Sequence, residues 1–302
     1  MALMQTVTSC EWICYTILVG TLTLFDVNHC LAQVTVDLFP AKDNSIYSEN
    51  NNSNALGDLF VGRASTTSGG ARRRCLVKFD LTSIPSTATV SSVTLTMTKN
   101  QGGSGSTSLH KLEEDWGEGT SSAGPGGPGS GGGKGAPPTT DDATWNYRFW
   151  QTQLWTTAGG EFSGSPSATT VVGAANTTYT WNGMDMTADV QNWVETSSMN
   201  FGWIIVGDES TTGTTSRFNS REDISGKPTL EVTYTTAPCP DSIMLIGIIP
   251  SGTYQANQFI QASGTVKDTS DVVFKSGGEV LLDLNFNVEI GGNFRIEQEG
   301  CN

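Results

Sequence analysis

Positive charge is scarce in this chain. Its 302 residues hold 16 Lys and Arg against 30 Asp and Glu, a net charge of −14, and the first base is Lys42. A surface of that sign repels polyanions on average, which argues against nucleic-acid binding. Charged residues of both signs reach only 15%, where about 25% is usual. Histidine is nearly missing, and His110 is the only one beyond residue 32. One histidine and the cysteines beyond that point cannot build a zinc site. No Gly-x-Ser-x-Gly nucleophile elbow occurs. Long apolar runs are lacking too: Trp12 to Phe25 is too short and too polar to span a bilayer, so no membrane span is expected.

What the chain has is glycine, 35 residues of it, with Ser, Thr and Asn breaking almost every apolar run. This is the pattern of short strands joined by turns. Residues 1–32 read as a signal peptide, the apolar stretch ending at Cys30-Leu31-Ala32-Gln33 with small residues before a cleavage site, although no base precedes it. The chain is therefore expected to be exported, secreted or held at the cell surface. Cys10, Cys14 and Cys30 leave with that segment. Cys75 sits in an apolar strand and reads as a small buried hydrophobe. Cys239 and Cys301 bracket the C-terminal segment and are expected to close a disulfide, with two reduced thiols as the alternative.

Residues 33–236 read as one β-sandwich domain. Val34–Leu38 alternates with period two, as a half-buried strand does. Further strands are expected at Asp58–Gly62, Arg74–Asp80, Val90–Met97, Ser108–Leu112, Ala168–Val172, Tyr179–Trp181, Gly202–Val206, Thr215–Asn219 and Thr229–Tyr234. About ten strands fit a jelly-roll-like antiparallel sandwich. One helix is expected over Thr187–Glu195, with Val190, Trp193 and Val194 on its apolar face and Thr187 as N-cap. The Gly-rich insertion 117–140 has little to bury and is expected to be disordered.

Residues 240–302 form a second module. Apolar pairs recur at Val272/Phe274, Val280/Leu282, Val288/Ile290 and Phe294/Ile296, separated by Ser276-Gly277-Gly278 and Gly291-Gly292. Such regular spacing predicts a small β-solenoid or meander.

Several pieces of 34–234, in order, resemble the DNRLRE domain, also described as a disaggregatase-related carbohydrate-binding module. They are Asn52-Ser53-Asn54 with Gly57, Leu59-Phe60-Val61-Gly62, Leu76 through Pro85, Asp115-Trp116-Gly117-Glu118-Gly119-Thr120, Ala143-Thr144-Trp145-Asn146, Trp155 through Gly160, and Arg217 through Glu222. Lys78 departs from the Arg often found there, and Cys75 from an aliphatic or polar residue. The stretch from Gly252 through Phe294 resembles a C-terminal β module of exported Bacteroidetes proteins. The first resemblance implies a β-sandwich that binds acidic or neutral polysaccharide and accompanies carbohydrate-active enzymes or surface assemblies.

Sugar binding needs flat aromatic faces and polar groups that reach hydroxyls. Trp116, Trp145, Tyr147, Trp150 and Trp155 flank the insertion and are the candidates for a platform; the alternative makes Trp116, Trp145 and Trp155 buried anchors. An acidic glycan needs cations, and Arg suits carboxylates through its bidentate fork. Arg63, Arg72, Arg73, Lys78, Arg217 and Arg221 are the candidates, against a reading in which Arg217 or Arg221 pairs with Glu222 or Asp80. Asp115, Glu118, Asp141, Asp142 and Glu161 surround the insertion and are candidates for calcium, though no EF-hand spacing is present and solvated loop carboxylates are the alternative. For glycoside cleavage only Glu113 and Glu114 beside Asp115 stand out. The expectation is a non-catalytic, exported polysaccharide-binding protein. The alternatives are a structural or adhesive component that packs with other surface or matrix proteins, and a lyase or hydrolase.

Overall fold

The computed structural model describes residues 6–7, 33–124, 131–236 and 239–300. Apart from Thr6 and Val7, the expected leader therefore lies outside the described residues. The chain divides into two compact units, one holding 31–236 and the other 237–302.

The first unit runs β1 (Thr6–Val7), β2 (Gln33–Leu38), β3 (Pro40–Tyr47), β4 (Leu59–Arg63), β5 (Arg72–Phe79), β6 (Thr89–Gly102) and β7 (Gly105–Lys111). It continues through β8 (Tyr147–Phe149), β9 (Gln153–Leu154), β10 (Ala168–Val172), β11 (Thr177–Asn182), helix α1 (Met184–Glu195), β12 (Trp203–Val206), β13 (Ser216–Phe218) and β14 (Thr229–Thr235). The fold is all-β, mostly antiparallel and sandwich-like. One sheet follows the order β1-β2-β14-β6-β13-β4-β5-β12-β7-β10, with β11 on β6 and β3 on β5. β4 joins the two halves: it pairs with β13 along one edge, while Gly62 and Arg63 pair with Arg73 and Arg72 of β5 along the other.

The sheet curls until its halves share one core. Val93, Leu95 and Met97 of β6, with Leu230 and Val232 of β14, meet Cys75 and Val77 of β5 and Trp203 and Ile205 of β12. Period-two alternation creates this inner face; along β14, Leu230, Val232 and Tyr234 are buried between less buried Thr and Glu. Each such side chain contributes roughly 1.5–3 kcal/mol of burial. The helix adds Val190, Trp193 and Val194 to the same core. It starts at Met184, three residues before its expected start, so Thr187 is no cap; its hydroxyl donates back to the Gly183 carbonyl at 3.1 Å.

The β3-β5-β12 half is buried on its outer face as well. Ile46, Leu76 and Ile204 point away from the main core into a second one with Leu112, Trp116, Ala143 and Trp155. This explains the unbroken apolar run Trp203-Ile204-Ile205, since a strand covered on both sides needs no alternation. The cover is made by Leu112, Trp116, Ala143, Trp145, Trp155 and Phe162.

The expected disorder of 117–140 does not hold for its described parts. Gly117 donates to the Arg148 carbonyl at 2.8 Å, Ser53 and Ala136 exchange backbone hydrogen bonds of 3.0 and 2.8 Å, and Ala55 donates to the Ser121 hydroxyl at 3.1 Å. Glycine serves close packing here: a Cβ on Gly117 would stand 1.9 Å from the Asp141 carbonyl oxygen. Residues 125–130 lie outside the described residues.

The second unit holds β15 (Ser242–Leu245), β16 (Ile248–Ile249), β17 (Gly252–Ala256), β18 (Phe259–Ala262), β19 (Thr265–Val266), β20 (Asp271–Ser276), β21 (Glu279–Leu282), β22 (Asn287–Val288) and β23 (Asn293–Glu297). They form three parallel three-stranded sheets, β15-β18-β21, β16-β19-β22 and β17-β20-β23. Apolar columns run through the registers: Ile243–Ile260–Val280, Leu245–Ala262–Leu282 and Ile249–Val266–Val288. Phe274 sits at the centre, with the rings of Tyr254 and Phe294 at 5.8 and 4.9 Å. Cys239 is disulfide-bonded; its expected partner Cys301 lies outside the described residues. Among those residues no helix is long and apolar enough to cross a membrane.

Candidate functional site

The segment over the second core carries the candidate site. Ala143–Thr144 enters it, and the short hairpin β8–β9 leaves it with Tyr147 opposite Leu154. Backbone hydrogen bonds fix the hairpin at its base: Trp150 N–H to Asp142 O (2.9 Å), Thr144 N–H to Tyr147 O (2.7 Å) and Trp155 N–H to Asn146 O (3.0 Å). Gln151 turns the chain with φ +58°, left-handed backbone.

The five aromatic candidates separate. Trp116 is fully buried and donates its indole N–H to the Phe201 carbonyl at 2.9 Å. Trp155 is buried and donates to the Thr144 carbonyl at 2.9 Å. Neither can offer a ring face to a ligand, which corrects their place in the expected platform. The reason is physical: a large amphipathic ring stabilises an irregular segment best when its apolar body is buried and its N–H is satisfied. Trp145 is half-buried against the same core, with the Arg74 guanidinium 4.8 Å above its ring. Tyr147 and Trp150 remain, both partly exposed, their rings 5.0 Å apart and nearly perpendicular at 76°. Around them Asn146, Gln151, Thr152, Gln153 and Leu154 are exposed. The hairpin's only charged side chain is Arg148, whose guanidinium donates to the Asp115 carbonyl at 3.1 Å.

The cation candidates do not gather around this hairpin. Arg73 is buried and paired with Glu49 at 2.5 Å, so it cannot meet a glycan carboxylate. Arg217 pairs with Asp58 at 3.3 Å, a partner not foreseen in the sequence. Arg221 engages Glu118 at 2.8 Å and Glu222 at 3.0 Å, the latter as the ion-pair alternative had it. Arg63 donates to the carbonyls of Gly70 (2.9 Å) and Ser210 (3.4 Å) and ties two loops together. Arg72 is exposed and lies 3.6 Å from Glu209. Lys78 faces Asp115 at 3.9 Å, beside Lys42 at 3.1 Å from the same oxygen.

The calcium candidates are dispersed in the same way. Asp115 serves Lys42 and Lys78. Burial acts to raise its carboxyl, but Lys42 and the hydrogen bonds outweigh that and hold it below its ordinary value. Burial raises the Glu118 carboxyl, which Arg221 only partly offsets. Asp142 is buried and accepts from Gly119 N–H (3.1 Å) and from the Thr139 N–H and hydroxyl (2.5 and 3.0 Å). Asp141 is exposed, and Glu161 has one buried oxygen without a hydrogen-bond partner. Among the described residues no three His, Cys, Asp or Glu side chains stand together as a metal site.

Other polar groups matter that the sequence did not single out. Asp43 is fully buried; one oxygen accepts from Arg221 N–H at 2.8 Å and the other has no partner. Burial first, then Glu222 and Glu118, push its carboxyl well above the ordinary range. Asn44 donates to the Ala143 carbonyl (3.1 Å) and accepts from the Ser53 hydroxyl (2.9 Å), which anchors the base of the hairpin to β3. Nothing in the sequence signalled them, since the polar run Lys42-Asp43-Asn44-Ser45 does not read as a strand. His110 stands apart from the hairpin, its ring nitrogens 2.9 Å from the Ser163 carbonyl and the Ser108 hydroxyl. Glu114 receives both the N–H and the hydroxyl of Thr156, at 3.1 and 2.8 Å.

No protein-family model matches the chain, and no curated protein matches it with significance.

Proposed function

We propose that the first unit is a non-catalytic carbohydrate-binding module that holds a neutral polysaccharide on the Tyr147–Leu154 hairpin. The observation that carries this reading is the Tyr147–Trp150 ring pair, partly exposed and 5.0 Å apart on a short hairpin fixed at its base. A rigid aromatic edge offers apolar area to the C–H face of a sugar with little entropy loss, and the neighbouring amides of Asn146, Gln151 and Gln153 suit hydroxyls. Neutral rather than acidic glycan follows from the cations: Arg73, Arg217 and Arg221 are already matched to carboxylates. The DNRLRE-like pieces and the sandwich-like fold agree with this reading, and the bonded Cys239 favours an oxidising, extracellular setting. The second unit is read as a short solenoid of three turns.

Affinity electrophoresis against neutral and acidic polysaccharides tests the reading. Retention by a neutral glycan, lost in Trp150→Ala with the fold intact, is expected. Unchanged retention in Trp150→Ala removes the platform; retention by uronate chains alone removes the neutral-glycan assignment.

A further inference from the structure

Side chains that point into a stack of strands are covered by the layers on either side of them. In the second unit this holds for the middle layer, where Ala262, Val266 and Phe274 are fully buried. Their register partners in the last layer, Leu282, Val288 and Ile296, are 39%, 36% and 48% exposed. Among the described residues no strand pairs with the far edges of β21, β22 and β23. Open backbone edges beside exposed apolar side chains recruit further strands.

The outward faces show the same distribution. Met244, Ile246 and Ile248 of the first layer are exposed, as are Leu281, Leu284 and Ile290 of the last. The middle layer is polar at the matching positions: Gln261 lies between Met244 and Leu281, and Thr265 between Ile248 and Asn287. Apolar surface therefore collects at the two ends of the stack. The ends also match each other: placing the last layer of one copy against the first layer of another sets Val280 on Ile243 and Leu282 on Leu245, both partly exposed, and Val288 beside Ile249, which is already buried in the single chain.

We propose that second units of successive chains associate head to tail, with β21, β22 and β23 of one copy pairing with β15, β16 and β17 of the next. This rests on the solenoid reading and not on the glycan site. Charge selects head to tail over tail to tail. Asp241 is the one charged residue of the first layer, 240–257, whereas the last layer, 279–299, carries Glu279, Asp283, Glu289, Glu297 and Glu299 against Arg295 alone. Two last layers face to face would bring those acids together. A contact between unlike ends does not close, so it builds a row of copies, each adding three layers, about 14 Å.

Sedimentation of the full chain over a concentration series tests this, with Met244→Lys at one end and Leu284→Lys at the other. Both side chains are well exposed, so neither change disturbs folding. The average mass of the unaltered chain should rise with concentration, and each variant alone should associate at least about tenfold more weakly. An equimolar mixture of the two variants should form dimers and nothing larger, because each keeps one intact end. An unaltered chain that stays monomeric throughout overturns the proposal, as does Met244→Lys dimerising by itself through its last layer. Glycan retention through Trp150 should be the same in both variants, so failure here leaves the glycan reading standing.

Discussion

The carboxylate of Asp43 accepts the backbone N–H of Arg221 at 2.8 Å, joining strand β3 to the turn after β13 across 178 residues. That bond uses one oxygen, and the other is buried without a partner. The folded state therefore holds a proton on Asp43 more tightly than the unfolded chain does. A carboxyl raised on folding stabilises at low pH, and its contribution is lost as pH rises from the unfolded value through the folded one. Stability should thus fall across that window, and Asp43→Asn should flatten the fall. The variant is expected to be more stable than the unaltered chain at pH 8, because it places no charge in this buried site. Urea denaturation at pH 5 and pH 8 measures it; a variant less stable at both would refute the assignment.

Trp116→Ala should cost about 3–5 kcal/mol, because it empties the second core and leaves the Phe201 carbonyl unpaired. Trp150→Ala should cost well under 1 kcal/mol, because its ring is partly in solvent. Melting of the two variants side by side separates anchor from platform. Equal losses would mean that Trp150 is also an anchor.

Removing Arg73 leaves Glu49 beside a buried, empty space. Arg73→Ala should therefore destabilise by about 3–5 kcal/mol, while Arg72→Ala one residue earlier should be nearly silent. Neither should alter retention by neutral glycan. A stable Arg73→Ala chain that loses glycan would restore the cation to the binding site.

With Cys239 closed on Cys301, as the sequence leads one to expect, reduction should loosen the second unit alone. The Cys239 disulfide stabilises by roughly 2–4 kcal/mol, whereas Cys75 is free and fully buried in the first unit. Proteolysis with and without reductant should release fragments from 239–302 first. Cys75 should resist alkylation until the sandwich unfolds, since burial raises its thiol well above the ordinary value.

Chelator should leave the melting temperature unchanged, because Asp115, Glu118 and Asp142 already have Lys, Arg and backbone partners. A calcium-dependent rise would show that these carboxylates rearrange around an ion.

Much of the fold could be read from spacing. Leu230, Val232 and Tyr234 alternate because one face of β14 is core, and Val190, Trp193 and Val194 lie on one helix face for the same reason. Of the recurring apolar pairs of 272–296, Val272/Phe274 and Phe294/Ile296 are register partners in parallel strands, whereas Val280/Leu282 and Val288 stand in the same layer as Phe294, on two other sheets. Strand β3 was not legible. Its Lys42-Asp43-Asn44-Ser45 run has no apolar period, and its place is set by hydrogen bonds to distant loops. The site was legible as a cluster and not as a surface. Sequence placed five aromatic residues near one another, but which ring turns inward depends on where Phe201 and Thr144 offer a carbonyl to an indole. The partners of Arg73 and Arg217, Glu49 and Asp58, were hidden for the same reason, since tertiary contacts choose among many carboxylates.

The Cys75–Val77 stretch of β5 and the Trp203–Ile205 stretch of β12 are sealed on both faces, by the main core below and by Leu112, Trp116, Ala143 and Trp155 above. Almost no position along them can be altered without loosening one side or the other. Exposed residues of the Tyr147–Leu154 hairpin carry no such constraint. New ligand preferences can therefore arise there by exchanging a few side chains, while the slab underneath is inherited unchanged.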